Sequence, residues 1–201
     1  MRYSAQHKAK THERVLKKAA EQMRRRGVQA TGIASLMGKV GLTHGGFYAH
    51  FPDKNALIAE ATGLMLEEGV AGVFAAAEAA PEGKKVRAIV NTYLSTQHRD
   101  SPEMCPLAGL AGEMARQSER VRNAYTRAIE DRLKLLARFF PGANERERRD
   151  RARLMMSGMA GTLMIAKAIT DRKASDYFLE QAREFYASAF QATPTQKDKK
   201  S

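Results

Sequence analysis

The sequence predicts an all-α protein, and three observations predict it. Met and Ala, both good helix formers, are abundant (ten Met), whereas Trp is absent and aromatic residues make up only 7%. Apolar residues recur at the three- and four-residue spacing that covers one face of a helix. The breaks between those runs are short and carry turn chemistry: Pro81-Glu82-Gly83, Ser101-Pro102 and Pro141-Gly142-Ala143-Asn144.

The first helix is expected over 11–26. Val15, Leu16, Ala19, Ala20 and Met23 form its apolar face, Lys17, Lys18 and Arg24-Arg25-Arg26 fill much of the rest, and Gly27 ends it. The three arginines read either as a phosphate-attracting patch or as a solvated basic face. Thr31 is placed to cap a short second helix carrying Ile33, Leu36, Met37 and Val40, which Gly41 stops. Thr43 then caps a third helix, 43–50. Pro52-Asp53 closes the unit and begins a helix with Lys54 in its first turn. The later helices are expected at roughly 53–79, 84–99, 103–117, 119–140, 145–171 and 174–192. This gives a three-helix helix-turn-helix head over 1–53, a helical body over 54–192 and a polar tail, 193–201.

Charge separates head from body. The net charge is +12; residues 1–54 hold 11 Lys/Arg against 3 Asp/Glu, and the rest hold 23 against 19. A basic head on a nearly balanced body fits a nucleic-acid partner. No apolar run approaches the ~18 residues that span a bilayer. The N-terminus lacks the apolar core of a secretory signal, and a single Cys excludes an internal disulfide, so a cytoplasmic location is expected.

The third helix, Thr43-His44-Gly45-Gly46-Phe47-Tyr48-Ala49-His50, is peculiar as a structural element. Two consecutive glycines in a helix interior cost roughly 1 kcal/mol each relative to Ala. A helix pressed into a major groove has use for them, because Gly lets the backbone approach closely. The segment GVQATGIASLMGKVGLTHGGFYAHFPDKNALIAEA resembles the DNA-binding head of the tetracycline-repressor (TetR) family of bacterial regulators. Thr31, Leu36-Met37, Gly41-Leu42-Thr43, Tyr48-Ala49-His50-Phe51 and Lys54 carry the likeness in order and spacing. Gly32, Met37 and Lys39-Val40 depart from the family's pattern. The resemblance implies that Thr43, His44, Gly45 and Phe47 face bases, with Phe47 against a thymine methyl. It implies that Thr31, Tyr48, His50 and Lys54 hold phosphates, which sets register rather than sequence preference.

In the body, 154–164 is apolar nearly all round, and its C-terminal neighbour carries Phe178, Leu179, Ala182, Phe185 and Tyr186. Such faces suit an internal core or a second copy. The resemblance implies the second, a four-helix bundle that would use Leu154, Gly158, Gly161, Met164, Phe178 and Phe185. It also implies a ligand cavity among the middle helices, for which Met65, Phe74, Tyr93, Met104, Met114 and Phe139 are candidates, each of them equally readable as core. Pro106 reads as the first residue of a helix, which puts Cys105 near its N-cap, where a thiol tends toward thiolate. Cys105 is therefore either a small buried hydrophobe or a sensor of electrophiles, as in a subset of TetR-like regulators.

No nucleophile-base ordering, phosphate loop, dinucleotide fingerprint or metal cluster stands out, so neither an enzyme nor a cofactor is expected, and His44 and His50 do not share a helix face for a metal. The implied function is a homodimeric regulator bound to a double-stranded operator and released by a small-molecule inducer. An activator of the same family and an architectural DNA binder are the alternatives. The ~140 residues beyond the head exceed what DNA binding alone needs.

Overall fold

The computed structural model describes residues 5–190, so the expected tail and residues 191 and 192 of the expected last helix lie outside the described residues. The described chain is all-α. The helices are α1 (Ala5–Arg26), α2 (Ile33–Lys39), α3 (Lys54–Ala79), α4 (Lys85–Tyr93), α5 (Thr96–Arg99), α6 (Ala111–Met114), α7 (Glu119–Leu136), α8 (Glu145–Ala168) and α9 (Arg172–Ala189). Two 3-10 segments, His44–Ala49 and Ala137–Phe139, complete the set. No described helix is long and apolar enough to cross a membrane.

The chain divides into two compact units, one of residues up to Val70 with Ser101–Arg132, the other of Ala71–Asp100 with the residues from Leu133 onward. The boundary expected at residue 53 falls inside the first unit. That unit's core is continuous from Val15, Ala19 and Met23 of α1 through Leu36 and Met37 of α2, Phe47 and Phe51, and Leu57, Ile58 and Met65 of α3 to Leu110, Met114 and Val121. Val15, Ala19 and Met23 recur every fourth residue, which puts them on one face of α1.

Two left-handed glycines fix the head's turns. Gly27 (φ 85°) follows α1 and donates its N–H to the Met23 carbonyl at 2.9 Å, a simple left-handed helix ending. Gly41 (φ 72°) follows α2, where Gly41 N–H bonds the Gly38 carbonyl (3.1 Å) and Leu42 N–H the Met37 carbonyl (2.9 Å). Those two bonds form a Schellman motif that turns the chain into the next segment. Thr43 caps it, its hydroxyl accepting from Gly46 N–H at 3.3 Å, and Asp53 begins α3 by accepting from Ala56 N–H at 2.7 Å.

Several expected elements change. Thr31 does not cap α2: Gly32 holds that position without a side-chain bond, and the Thr31 hydroxyl donates to the Gly27 carbonyl at 3.1 Å. Residues 43–50 wind as a 3-10 segment after the Thr43 cap. The helix expected over 103–117 shrinks to α6, and no helix begins at Pro106. Backbone groups there bond elsewhere: Met104 N–H donates to the Arg24 carbonyl and Gly109 N–H to the Cys105 carbonyl, each at 2.7 Å. Pro102, Pro106, Gly109 and Gly112 all oppose a continuous helix. The helix expected over 84–99 breaks at Leu94, because Ser95 caps α5 by accepting from His98 N–H at 3.1 Å.

In the second unit a short link after Ala168 returns the chain as α9 against α8. Asp171 caps α9, accepting from Lys173 and Ala174 N–H, which ends α8 earlier than expected. Met155, Met159 and Leu163 of α8 and Leu179 and Ala187 of α9 are buried. Arg99, 4% exposed, ties α5 to α9: it donates to Ser175 Oγ (2.7 Å) and Asp176 (2.6 Å) and forms a two-toothed pair with Asp100 (2.9 and 3.0 Å). Ser175 Oγ in turn donates to the Ala166 carbonyl of α8 at 2.6 Å. The hydrogen bonds from Arg99 and then Arg172 hold the Asp100 carboxyl well below the usual carboxylate range. A depressed folded pKa means that this contribution to stability is present above the ordinary value of 3.8 and is lost as the pH falls below it.

Candidate nucleic-acid interface

The segment from Thr43 to Lys54 is built on two buried rings. Phe47 and Phe51 stack at 5.5 Å with ring planes 26° apart, and both are fully buried. His12 of α1 stacks on Phe51 at 4.4 Å, and its Nε2 lies 2.8 Å from Glu60 Oε2 of α3. The outside of the segment is left open. Thr43, His44, Gly45 and Tyr48 are exposed, Tyr48 at 58%, with the His44 and Tyr48 rings edge-on at 6.1 Å.

Two expected contacts are corrected here. Phe47 cannot face bases, because it is wholly inside the core; it anchors the segment and meets the Tyr48 ring edge-on at 5.3 Å. An apolar ring beside an exposed surface gains more from the interior than from one methyl contact. Thr31 cannot hold a phosphate, being 2% exposed with its hydroxyl committed to the Gly27 carbonyl.

His50 and Lys54 are half-buried, Lys54 as the first residue of α3. Burial, and then the positive fields of His12, Lys8 and His7, lower the His50 pKa from its ordinary 6.5. His50 is thus neutral at pH 7 and offers an anion an N–H rather than a charge. Lys54 brings the charge, at a helix start that also favours an anion. The same unit has a basic groove lined by Lys10, Arg14, Lys17, Lys18 and Lys39 that the motif did not single out. Glu13 and Glu21, each 2.6 Å from a lysine, partly neutralise it.

The other candidate residues are scattered. Met65 and Met114 are buried in the first unit's core, and Met104 packs against it, so these methionines act as core. In the second unit Phe74 and Phe139 pair at 6.0 Å, and Tyr93, 2% exposed, stands edge-on to His98 at 4.9 Å. A small hollow there touches Phe139 along with Val86, Arg138 and Phe140. Cys105 is buried in the 101–110 turns, not at a helix N-terminus. Burial, with the Cys105 charge second, pushes the Tyr125 phenol up to about 12.

On α8 and α9, Leu154 (66%), Phe185 (64%), Met164 and Ile165, and Tyr177 are exposed. A Cβ on Gly161 would meet nothing within 4 Å, leaving that side open. Gly158 is different. A Cβ there would run into the Tyr186 ring and its hydroxyl, so its missing side chain serves packing within the chain. Phe178 is half-buried.

Residues 15–61 match the family described as bacterial regulatory proteins, tetR family. That match is confined to the helix-turn-helix head. In that family this part of the chain is the DNA-binding head of a transcriptional regulator. The whole fold agrees. The reduced form of Escherichia coli NemR superposes with a TM-score of 0.74 at 19% identity, over 92% of this chain and 99% of that one. A TetR-family regulator from Cytophaga hutchinsonii gives 0.73 at 19% identity, over 92% and 97%. A TetR regulator from Legionella pneumophila gives 0.70 at 17% identity, over 95% and 100%. A search of curated proteins found no match. The structure also brings in a residue to which the sequence alone assigns no role: Glu113, whose carboxylate lies against the turn after α1. Its only sequence signal is a Glu following a run of small and apolar residues.

Proposed function

We propose that the protein is a homodimeric repressor that binds an inverted-repeat operator and is released by a small-molecule inducer. One observation carries the DNA reading: Thr43, His44, Gly45 and Tyr48 stand exposed on a segment fixed by the buried Phe47–Phe51 pair, within a TetR-family head. Thr43, His44 and Gly45 read base edges; Tyr48, His50 and Lys54 hold phosphates. The exposed apolar stripe on α8 and α9 supports the dimer. Two reading segments related by a two-fold axis meet successive major grooves about 34 Å apart. The long body beyond the head supports an inducer. An electrophile would have to reach a buried Cys105 that lacks a helix N-terminus to activate it, so a non-covalent inducer is the reading favoured here.

The roles separate by experiment. Lys54→Ala should weaken binding to every sequence and flatten the salt dependence by about one unit. His44→Ala should leave the salt slope alone and relax the base preference at the positions His44 reads, by about 1–3 kcal/mol at each. Binding titrations over a salt series, on the operator and on single-position variants, check both. A changed base preference with an intact salt slope in Lys54→Ala would contradict the assignment.

A further inference from the structure

The end of α1 leaves a backbone donor that the helix cannot satisfy. In a simple left-handed ending the N–H of the residue after the glycine has no helix carbonyl to bond. Here that residue is Val28. Its N–H donates to Glu113 Oε2 at 2.8 Å, and Gln29 N–H donates to the same oxygen at 3.2 Å. The other oxygen, Oε1, occupies the space beside Gly27: a Cβ there would lie 2.5 Å from it. The left-handed glycine and the two N–H groups after it make a small anion-binding concavity, filled by a carboxylate from 84–85 residues further along the chain.

The same stretch of chain is fastened a second time. Glu103 accepts from Arg24 Nε at 2.9 Å, and Met104 N–H donates to the Arg24 carbonyl at 2.7 Å. Arg24 also pairs with Glu68 of α3. Residues 103–113 are thus held at one end against the last turn of α1 and at the other against the turn that follows it. What Glu113 grips is the link into the helix-turn-helix: Thr31 bonds back to the Gly27 carbonyl, and Gly32 holds the N-cap position of α2.

From this we infer that Glu113 is a positioning residue for operator reading. It touches no DNA. It sets the α1–α2 turn, and through it the angle at which α2 and the Thr43–Tyr48 segment are presented, so any displacement of 103–113 is felt as a change in reading geometry. The inference rests on the head being a DNA reader.

The test uses the full chain with Glu113→Ala, Glu113→Gln and Gly27→Asn. In Glu113→Ala the Val28 and Gln29 amides should exchange hydrogen at least about tenfold faster, since the carboxylate that accepts from both is gone. Operator affinity should fall about tenfold. Affinity for unrelated duplex, and the salt slope, should stay within twofold, because every phosphate-holding group remains. Glu113→Gln keeps one carbonyl acceptor and should fall between, and it decides the matter if the Ala variant does not fold. Asn tolerates a positive φ, and its Cβ would expel the carboxylate, so the operator-binding defect of Gly27→Asn should vanish in the Glu113→Ala background. Wild-type operator affinity in Glu113→Ala and Glu113→Gln would overturn the role, as would equal weakening on operator and unrelated DNA, or additive defects in the double variant. Failure of the wild type itself to bind any duplex would instead sink the reading of the head, and this inference with it.

Discussion

Leu154→Asp combined with Phe185→Asp should give a folded monomer that binds a two-half-site operator at least about a hundredfold more weakly than the wild type. Both side chains are about two-thirds exposed on a single chain, so a charge there costs the monomer little. At a dimer interface the same carboxylates would be desolvated and unpaired, which burial does not tolerate. Losing the partner also removes the gain from two linked heads, whereby the second half-site is met at high effective concentration. Light scattering at micromolar concentration and titration with operator and half-operator duplexes check both parts. A dimer that survives the substitutions, or a monomer that still prefers the full operator, would place the interface elsewhere.

Phe47→Ala should weaken binding to all DNA alike. The ring is 0% exposed and stacked on Phe51 at 5.5 Å, so its removal opens a cavity in the middle of the head's core. Aromatic-to-Ala changes at such sites cost about 3–5 kcal/mol, a large share of the ~5–15 kcal/mol available to a domain. The measurement is chemical denaturation together with titration of operator and scrambled duplex. Weakened binding to both duplexes with a lowered midpoint fits an anchoring ring. A stable variant whose preference for one base pair had shifted would return Phe47 to the groove.

The contrast between Phe47 and His44 marks how far the sequence could be read. Helix periodicity located α1, α3, α7, α8 and α9, because long amphipathic segments declare their period. Gly27 and Gly41 announced the turns, since both take the left-handed conformation. What the sequence did not disclose was direction. The sequence predicts a helix over 43–50 but not that its Phe47 ring lies inside the core, where the structure places it. Thr31 was read as a cap, but its hydroxyl bonds backward to Gly27 rather than forward. The 103–117 segment misled for another reason. Its Pro106 fits a helix start locally, yet Met104 N–H bonds the Arg24 carbonyl and Glu113 bonds Val28, long-range contacts that periodicity does not encode. The same long range hid the role of Glu113. Gly158 was read as an interface position because a missing side chain permits close approach by any neighbour. That neighbour is Tyr186 of the same chain.

On the proposed function, a pair of heads reads two half-sites through the exposed face of residues 43–48. Selection of bound duplexes from a random-sequence pool puts this to the test. The wild type should enrich an inverted repeat whose half-site centres lie one helical turn, about 10–10.5 bp, or a multiple of that apart, and His44→Ala should enrich the same spacing with a relaxed base position in each half. Enrichment of a single, unrepeated half-site, or of no sequence at all, would contradict it.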